Sequence, residues 1–356
     1  MMSHFERLDT VFRGHVPDRT PTIGGWISCA EHIAELNGIS LDTYWESPGT
    51  WGIQAYEKLG CDGLIDNAVP ARREDFRIVT EDTYARAVRE QTLEECVAEL
   101  EAEPTPEEVE ASFDFETEYE NHKASLLRGQ SASGDMVWMP ARWNNNVPNL
   151  SLYFRFGYEN FFLLVGLYPE LVGRTLARAG MVAHCNNRVF AKLVEEGLHP
   201  HALLTGEDIC TQRGPMVSPD FMWEYYAGPL KHALQPLVDV GCKPVWHSDG
   251  DVRPIMELLL ANNVKGLQGF QPECGLTLEY TSSLRTSDGE KLVIFGPVAV
   301  TTELNTLSAP EITDLVHRAI DIYRDNAHLA LFTGNTINPD CPLENIIAMY
   351  EAVQTA

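Results

Sequence analysis

Short apolar runs that each stop at ionisable or amide residues recur along the chain. The clearest is Lys243-Pro244-Val245-Trp246-His247-Ser248-Asp249-Gly250, and Leu203-Leu204-Thr205-Gly206-Glu207-Asp208 and Leu329-Ala330-Leu331-Phe332-Thr333-Gly334-Asn335-Thr336 share its form. A run of about five apolar residues that ends in polar groups and then enters a helical pattern predicts a parallel strand buried on both faces, with its last side chains delivered to one rim. Eight such strands are predicted, near 22–26, 62–66, 136–140, 202–206, 244–247, 266–270, 292–296 and 329–333. The intervening segments have helical starts. Ser308 with Glu311 forms a capping box ahead of Ile312, Leu315, Val316, Ala319 and Ile320 on one face, and Ser218-Pro219-Asp220 opens another helix with proline at its first position. Strands alternating with helices predict an α/β protein with a parallel sheet, and eight of them predict closure into a single (β/α)8 TIM barrel. The competing open, doubly wound sheet lacks a glycine-rich fingerprint after its first strand.

One stretch breaks the rhythm. From about 90 to 123 the chain is strongly acidic, and Thr105-Pro106-Glu107-Glu108 is a second capping box inside it. It reads as an acidic helical insertion after the second strand, solvated on the barrel's flank. At 356 residues with 44% hydrophobic side chains, the chain can bury the core of one large barrel domain over residues 1–356. Its net charge of -26, from 52 acidic against 26 basic residues, repels phosphate, so nucleic acid and anionic membrane are not expected partners. Without an apolar stretch of about 18 residues or a signal-like start, a cytoplasmic protein is expected. Eight cysteines are scattered without a C-x-x-C pair and read as free buried thiols.

Several fragments, taken in order, resemble the uroporphyrinogen decarboxylase-like superfamily, which includes corrinoid-linked methyltransferases. They are Arg7 with Gly14-His15-Val16-Pro17-Asp18-Arg19-Thr20-Pro21, then Gly206-Glu207-Asp208-Ile209, Gly214-Pro215-Met216-Val217-Ser218-Pro219, His247-Ser248-Asp249-Gly250 and Pro342-Leu343-Glu344-Asn345. The resemblance implies a single (β/α)8 barrel, in agreement with the strand count. It leaves the chemistry open, because one scaffold carries several reactions. True decarboxylases hold a polyanionic tetrapyrrole with an arginine-containing Met-Arg-Gln-Ala-Gly-Arg motif after the first strand. Here the stretch is Gly24-Gly25-Trp26-Ile27-Ser28-Cys29, with no basic residue, while Glu207, Asp208, Asp249 and Glu273 crowd the strand ends. Buried carboxylates of a substrate need compensating cations, so tetrapyrrole decarboxylation ranks second.

The methyltransferase branch is the better match, with departures of its own. Thiol-activating zinc members use a His-x-Cys pair after the fifth strand and a further cysteine after the eighth, whereas this chain reads His247-Ser248-Asp249 and Gly334-Asn335. What remains is a harder set. Glu207, His247 and either Asp249 or Cys274 could hold zinc with an open position. Removing a methyl group from oxygen or nitrogen requires a better leaving group, which His247 as an acid or a metal on Glu207 and His247 would provide. The resemblance implies that the acceptor is the cobalt of a corrinoid (cobalamin) carried on a partner protein, since no D-x-H-x-x-G stretch occurs here. Expected catalytic residues are therefore His247, Glu207 and Asp249. Expected substrate contacts are Trp26, Trp138, Arg142, Asp208 and Asn335, with the aromatic residues suited to a methoxylated aromatic or a quaternary amine and Arg142 to a substrate carboxylate. The expected partners are a small-molecule methyl donor and a corrinoid protein, with a homodimer left open. A barrel that binds its ligand or a corrinoid protein without turnover is the non-enzymatic alternative.

Overall fold

The computed structural model describes residues 2–70, 91–143, 145–150 and 152–356. The predicted strands are found as β1 (Ile23–Gly24), β2 (Gly63–Leu64), β3 (Val137–Trp138), β4 (Ala202–Gly206), β5 (Lys243–His247), β6 (Gly266–Gln268), β7 (Val293–Val298) and β8 (His328–Thr333). All neighbouring pairs are parallel, in one sheet of order β1-β2-β3 and a second of order β8-β7-β6-β5-β4. Single parallel bridges join the two sheets at both edges: Thr22 pairs with Leu331, and Arg142 pairs with Thr205. The first three strands are shorter than the apolar runs predict. Asp66 adopts φ 58 and turns the chain away after β2, and Pro140 has no N–H with which to extend β3.

Alternation along the strands divides the apolar residues between two faces. Ile23, Val137, Leu204, Val245, Phe295 and Phe332 pack together, with Leu8, Val11 and Phe12 of the helix His4–Phe12. The residues between them, such as Leu203, Trp246 and Ile294, pack against the helices instead. Both faces are thus apolar, as the uninterrupted runs require. His247 shares the parity of Val245 and so ends its strand on the first of these faces.

Capping chemistry sets the helix boundaries. Both predicted capping boxes are formed, Ser308 with Glu311 and Thr105 with Glu108, and Ser218 accepts from the Phe221 N–H before a π-helical stretch over Met222–Tyr226. The acidic stretch is helical, with helices Leu93–Glu101, Pro106–Ser112 and Phe115–Ser133. Arg155 and Arg178 tie it down through Glu99 and Glu103. Among the described residues no helix is long and apolar enough to cross a membrane. All eight cysteines are buried and free.

At the amino-terminal ends of the strands a buried ionic network fastens the first helix. Asp62, just ahead of β2, accepts from Arg7 (2.6 Å), Arg19 (2.8 and 3.0 Å) and the Thr22 N–H (2.9 Å), and its Oδ1 lies 2.8 Å from His4 Nδ1. Arg7 also pairs with Asp18 at 2.6 Å.

Candidate metal and substrate site

The carboxyl ends of β4 and β5 meet because Gly206 lets them. Its φ is +128, and a Cβ there would lie 2.2 Å from the His247 carbonyl oxygen, so only glycine allows the two backbones to touch. Beyond β5, Gly250 (φ +86) turns the chain against the hairpin of Cys210–Thr211 and Gly214–Pro215, where a Cβ would fall 2.5 Å from the Thr211 carbonyl oxygen. These two close approaches set Asp208, His247 and Asp249 side by side.

His247 is buried, and its Nε2 lies 3.5 Å from Asp208 Oδ1 and 3.9 Å from Asp249 Oδ1. One donor atom from each of the three residues falls within 4.8 Å of the others. On the far side of the ring, Nδ1 is hydrogen-bonded to Gln268 Oε1. Asp249 is held by Asn335, whose amide donates to both carboxylate oxygens at 2.9 Å, and the Asp249 N–H donates to Asp208 Oδ1 at 2.9 Å. Burial pushes the Asp249 carboxyl above its ordinary range. His247 opposes the rise, Asp208 adds to it, and the Asn335 amide and Glu273 act as smaller influences of opposite sign.

Asp208, His247 and Asn335 open onto a cavity of about 520 Å³. Trp26 and Trp143 form an aromatic wall, with Trp143 5.3 Å and Trp26 6.3 Å from the imidazole centroid, both near edge-on. Tyr153, Phe154 and Asp66 complete much of the lining. Burial raises the Asp66 carboxyl to about 6, against the opposing effects of the Ala141 N–H and the Arg142 guanidinium. Among the described residues no lysine or arginine lines this cavity. A larger groove of about 750 Å³ lies elsewhere, next to Trp138 and the helix Pro48–Lys58, but among the described residues no group of potential metal ligands converges there.

The structure brings together His247, Asp208, Asp249, Asn335 and Trp26 of the predicted site residues. Glu207 lines the same cavity but is buried against other partners. Its carboxylate accepts from the Leu150 N–H (2.9 and 3.0 Å) and the Tyr226 hydroxyl (2.9 Å), which anchors the chain that follows β3. Asp208, and not Glu207, stands with His247 in the potential ligand group. Cys274 is outside that group as well: it is buried with Sγ 3.8 Å from Gln271 Oε1, and burial raises its thiol. Trp138 points to the other face of β3, where its indole lies over Gly129 of the helix Phe115–Ser133. Arg142 reaches His122 (2.9 Å) and covers the Phe190 ring at 4.7 Å, so it does not line the cavity. Trp143, Asp66 and Gln268 were not anticipated. A polar side chain at the end of a predicted strand was the available signal for Asp66, and an amide inside the predicted strand 266–270 was the one for Gln268. Trp143 follows Pro140 in irregular chain and offered none.

The donor set fits a divalent cation. Two ligands of a tetrahedral zinc at bonds of about 2.1 Å stand roughly 3.4 Å apart, close to the spacing between His247 Nε2 and the two aspartates. One imidazole with two carboxylates is a harder set than the thiolate sites of structural zinc.

No protein-family model matches the chain, and comparison with curated proteins finds no match either. Among solved structures the chain is similar to a methyltransferase from Methanosarcina mazei, with a TM-score of 0.63 and 15% identity over 100% of this chain and 99% of that one. At that identity the likeness is one of fold, extending from end to end of both chains.

Proposed function

We propose that the eight strands close into one (β/α)8 barrel and that its carboxyl-terminal rim is the active site of a methyltransferase. The bridges at both sheet edges and the apolar cluster fed by alternate strand residues support the closure. Methyl transfer is supported by the fold likeness to a methyltransferase, together with the residues that resemble that branch. The observation that carries the reading is the convergence of Asp208, His247 and Asp249 at the ends of β4 and β5 beside an aromatic wall.

The donor is a small O- or N-methylated molecule, and the acceptor is the reduced cobalt of a corrinoid on a separate protein. The methyl–heteroatom bond breaks with its electron pair left on the heteroatom, and the methyl group passes to the cobalt. Trp26, Trp143 and Tyr153 exclude water and hold the apolar part of the donor against the rim. Asp208, His247 and Asp249 would hold zinc or a similar divalent cation, which when bound supplies a Lewis acid that makes the heteroatom a better leaving group. Asn335 keeps Asp249 oriented, and Glu207 fixes the chain over Leu150 that borders the cavity.

The test is methyl transfer to cob(I)alamin from a panel of methoxylated and methylated-amine donors, with Zn(II) titrated into the purified protein. Turnover with at least one donor is expected, and His247→Ala should lower its rate at least about 100-fold, a typical consequence of removing an acid, base or ligand. Unchanged transfer in His247→Ala, or no transfer with any donor, would sink the proposal. Decarboxylation of uroporphyrinogen at an enzyme-like rate would replace it.

A further inference from the structure

Gln268 is a buried amide on β6 with three hydrogen bonds, and their directions leave it one orientation. Its Nε2 donates to the carbonyl oxygens of Thr333 (2.8 Å) and Gly334 (3.0 Å). Turning the amide over would press Oε1 against two groups that can only accept. Oε1 therefore faces His247 Nδ1, and because Oε1 accepts, Nδ1 carries the hydrogen. In the neutral ring the other nitrogen is then a bare lone pair, and it is Nε2 that faces Asp208 and Asp249.

From this geometry we infer that Gln268 is the positioning residue that fixes the tautomer of His247, so that the neutral imidazole presents Nε2 to the rim as an acceptor and not as an acid. The lone pair of Nε2 then faces the carboxylate oxygens of Asp208 and Asp249, and the neutral ring brings no proton of its own between them. That is the arrangement of a cation ligand set, and it selects between the two ways of activating the leaving group. The chain just past β8 holds the arrangement from two directions. The Thr333 and Gly334 carbonyls orient Gln268 and through it His247. Two residues on, the Asn335 amide orients Asp249. The Thr333 hydroxyl donates to the Asn335 carbonyl at 2.6 Å, which braces this turn. The inference deepens the proposed function by assigning His247 the role of ligand, but its geometry stands whether or not methyl transfer is the reaction.

The experiment uses the full chain with 15N-labelled histidine rings. The His247 signals are identified by their loss in His247→Gln, and spectra are taken at a pH where the ring is neutral. The expected result is the Nδ1–H tautomer in the metal-free protein, lost or mixed in Gln268→Leu. Zn(II) affinity by calorimetry should fall about 10- to 100-fold in Gln268→Leu. An Nε2–H tautomer in the unaltered protein would overturn the inference, and so would Gln268→Leu with both tautomer and affinity unchanged. If Gln268→Leu does not fold, the unaltered protein still decides the tautomer. A protein with the Nδ1–H tautomer that takes up no Zn(II) would uphold the role of Gln268 and remove the metal from the proposed function.

Discussion

Both ends of the strands carry a cluster of ionisable groups, and the two are built to opposite plans. At the amino-terminal end, Asp18 and Asp62 are matched by Arg7 and Arg19, and Asp62 receives donors from four residues. That network is electrically complete and closes on itself. At the carboxyl-terminal end, Asp208 and Asp249 face one imidazole, and no described lysine or arginine lines the cavity that Asp208 and His247 border. A cluster that balances its own charge stabilises a fold, since the desolvation of each ion is offset by a partner. One with surplus carboxylate has electrostatic affinity left over for a cation that comes from outside. Two groups of acids that look equivalent in composition therefore differ in how their charge is met, and the arginines tell them apart.

The largest effect should come from breaking the balanced end. Asp62→Ala leaves Arg7 and Arg19 without their shared carboxylate, and removing one partner of a buried pair costs roughly 3–5 kcal/mol. Urea denaturation should register this loss, while Zn(II) affinity of the folded protein stays within about two-fold because the site lies at the opposite ends of the strands. A parallel collapse of metal affinity would show that the two ends are coupled and that the division drawn here is wrong.

His199, ahead of β4, is a buried imidazole with no ionic partner. Its Nδ1 lies 2.8 Å from the Pro200 carbonyl oxygen, it packs edge-on to Phe190, and burial lowers its pKa from 6.5 to about 4. Between those two values the unfolded chain binds a proton that the folded chain refuses. The unfolded state then holds more protons, so stability falls as the pH is lowered from 6.5 towards 4. A shift of this size corresponds to a loss on the order of 2–3 kcal/mol by pH 4.5. His199→Gln should lose less than the unaltered protein between pH 7 and 4.5 by about that difference. Equal losses in the two proteins would show that His199 is protonated in the fold without penalty, and that this end tolerates charge better than its packing indicates.

How much of this was legible in the sequence depends on where each residue sits. The strands were readable because parallel strands buried on both faces need uninterrupted apolar runs, and a run that stops at His247 marks both the strand and its polar end. The choice between Glu207 and Asp208 was not readable. Two adjacent acids leave β4, and which of them faces His247 depends on the turn that Gly206 makes at φ +128, a property of the folded backbone. Asp208 turns to the rim, whereas Glu207 is taken by Leu150 and Tyr226. Gln268 stands inside the predicted strand 266–270 and Gln271 just after it, and only the carbonyls of Thr333 and Gly334, far along the chain, single out the first. Trp138 was misplaced for a simpler reason: one step along a strand reverses the face, so its neighbour Val137 points into the cluster with Val245 and Trp138 points out.

The smallest and most selective change is at Asn335. Asn335→Ala removes both hydrogen bonds to Asp249 and leaves the carboxylate in place, so Zn(II) affinity should fall about 10-fold, at the lower end of what a ligand's supporting residue contributes. Stability should move by less than about 1 kcal/mol, because the side chain is only partly buried and water replaces the lost partner. Asn335→Asp separates the two plans more sharply. It sets a third carboxylate beside Asp208 and Asp249, which repels them in the absence of metal and adds a donor in its presence. Its unfolding midpoint should therefore lie below that of the unaltered protein in chelator and rise with added Zn(II), by the binding free energy that a folded-state ligand contributes. At the amino-terminal end an added carboxylate has no such remedy, since the cations there are already committed. If Zn(II) fails to raise the midpoint of Asn335→Asp, the surplus of acid at the rim is not a cation site, and the contrast between the two ends reduces to a difference in solvent exposure.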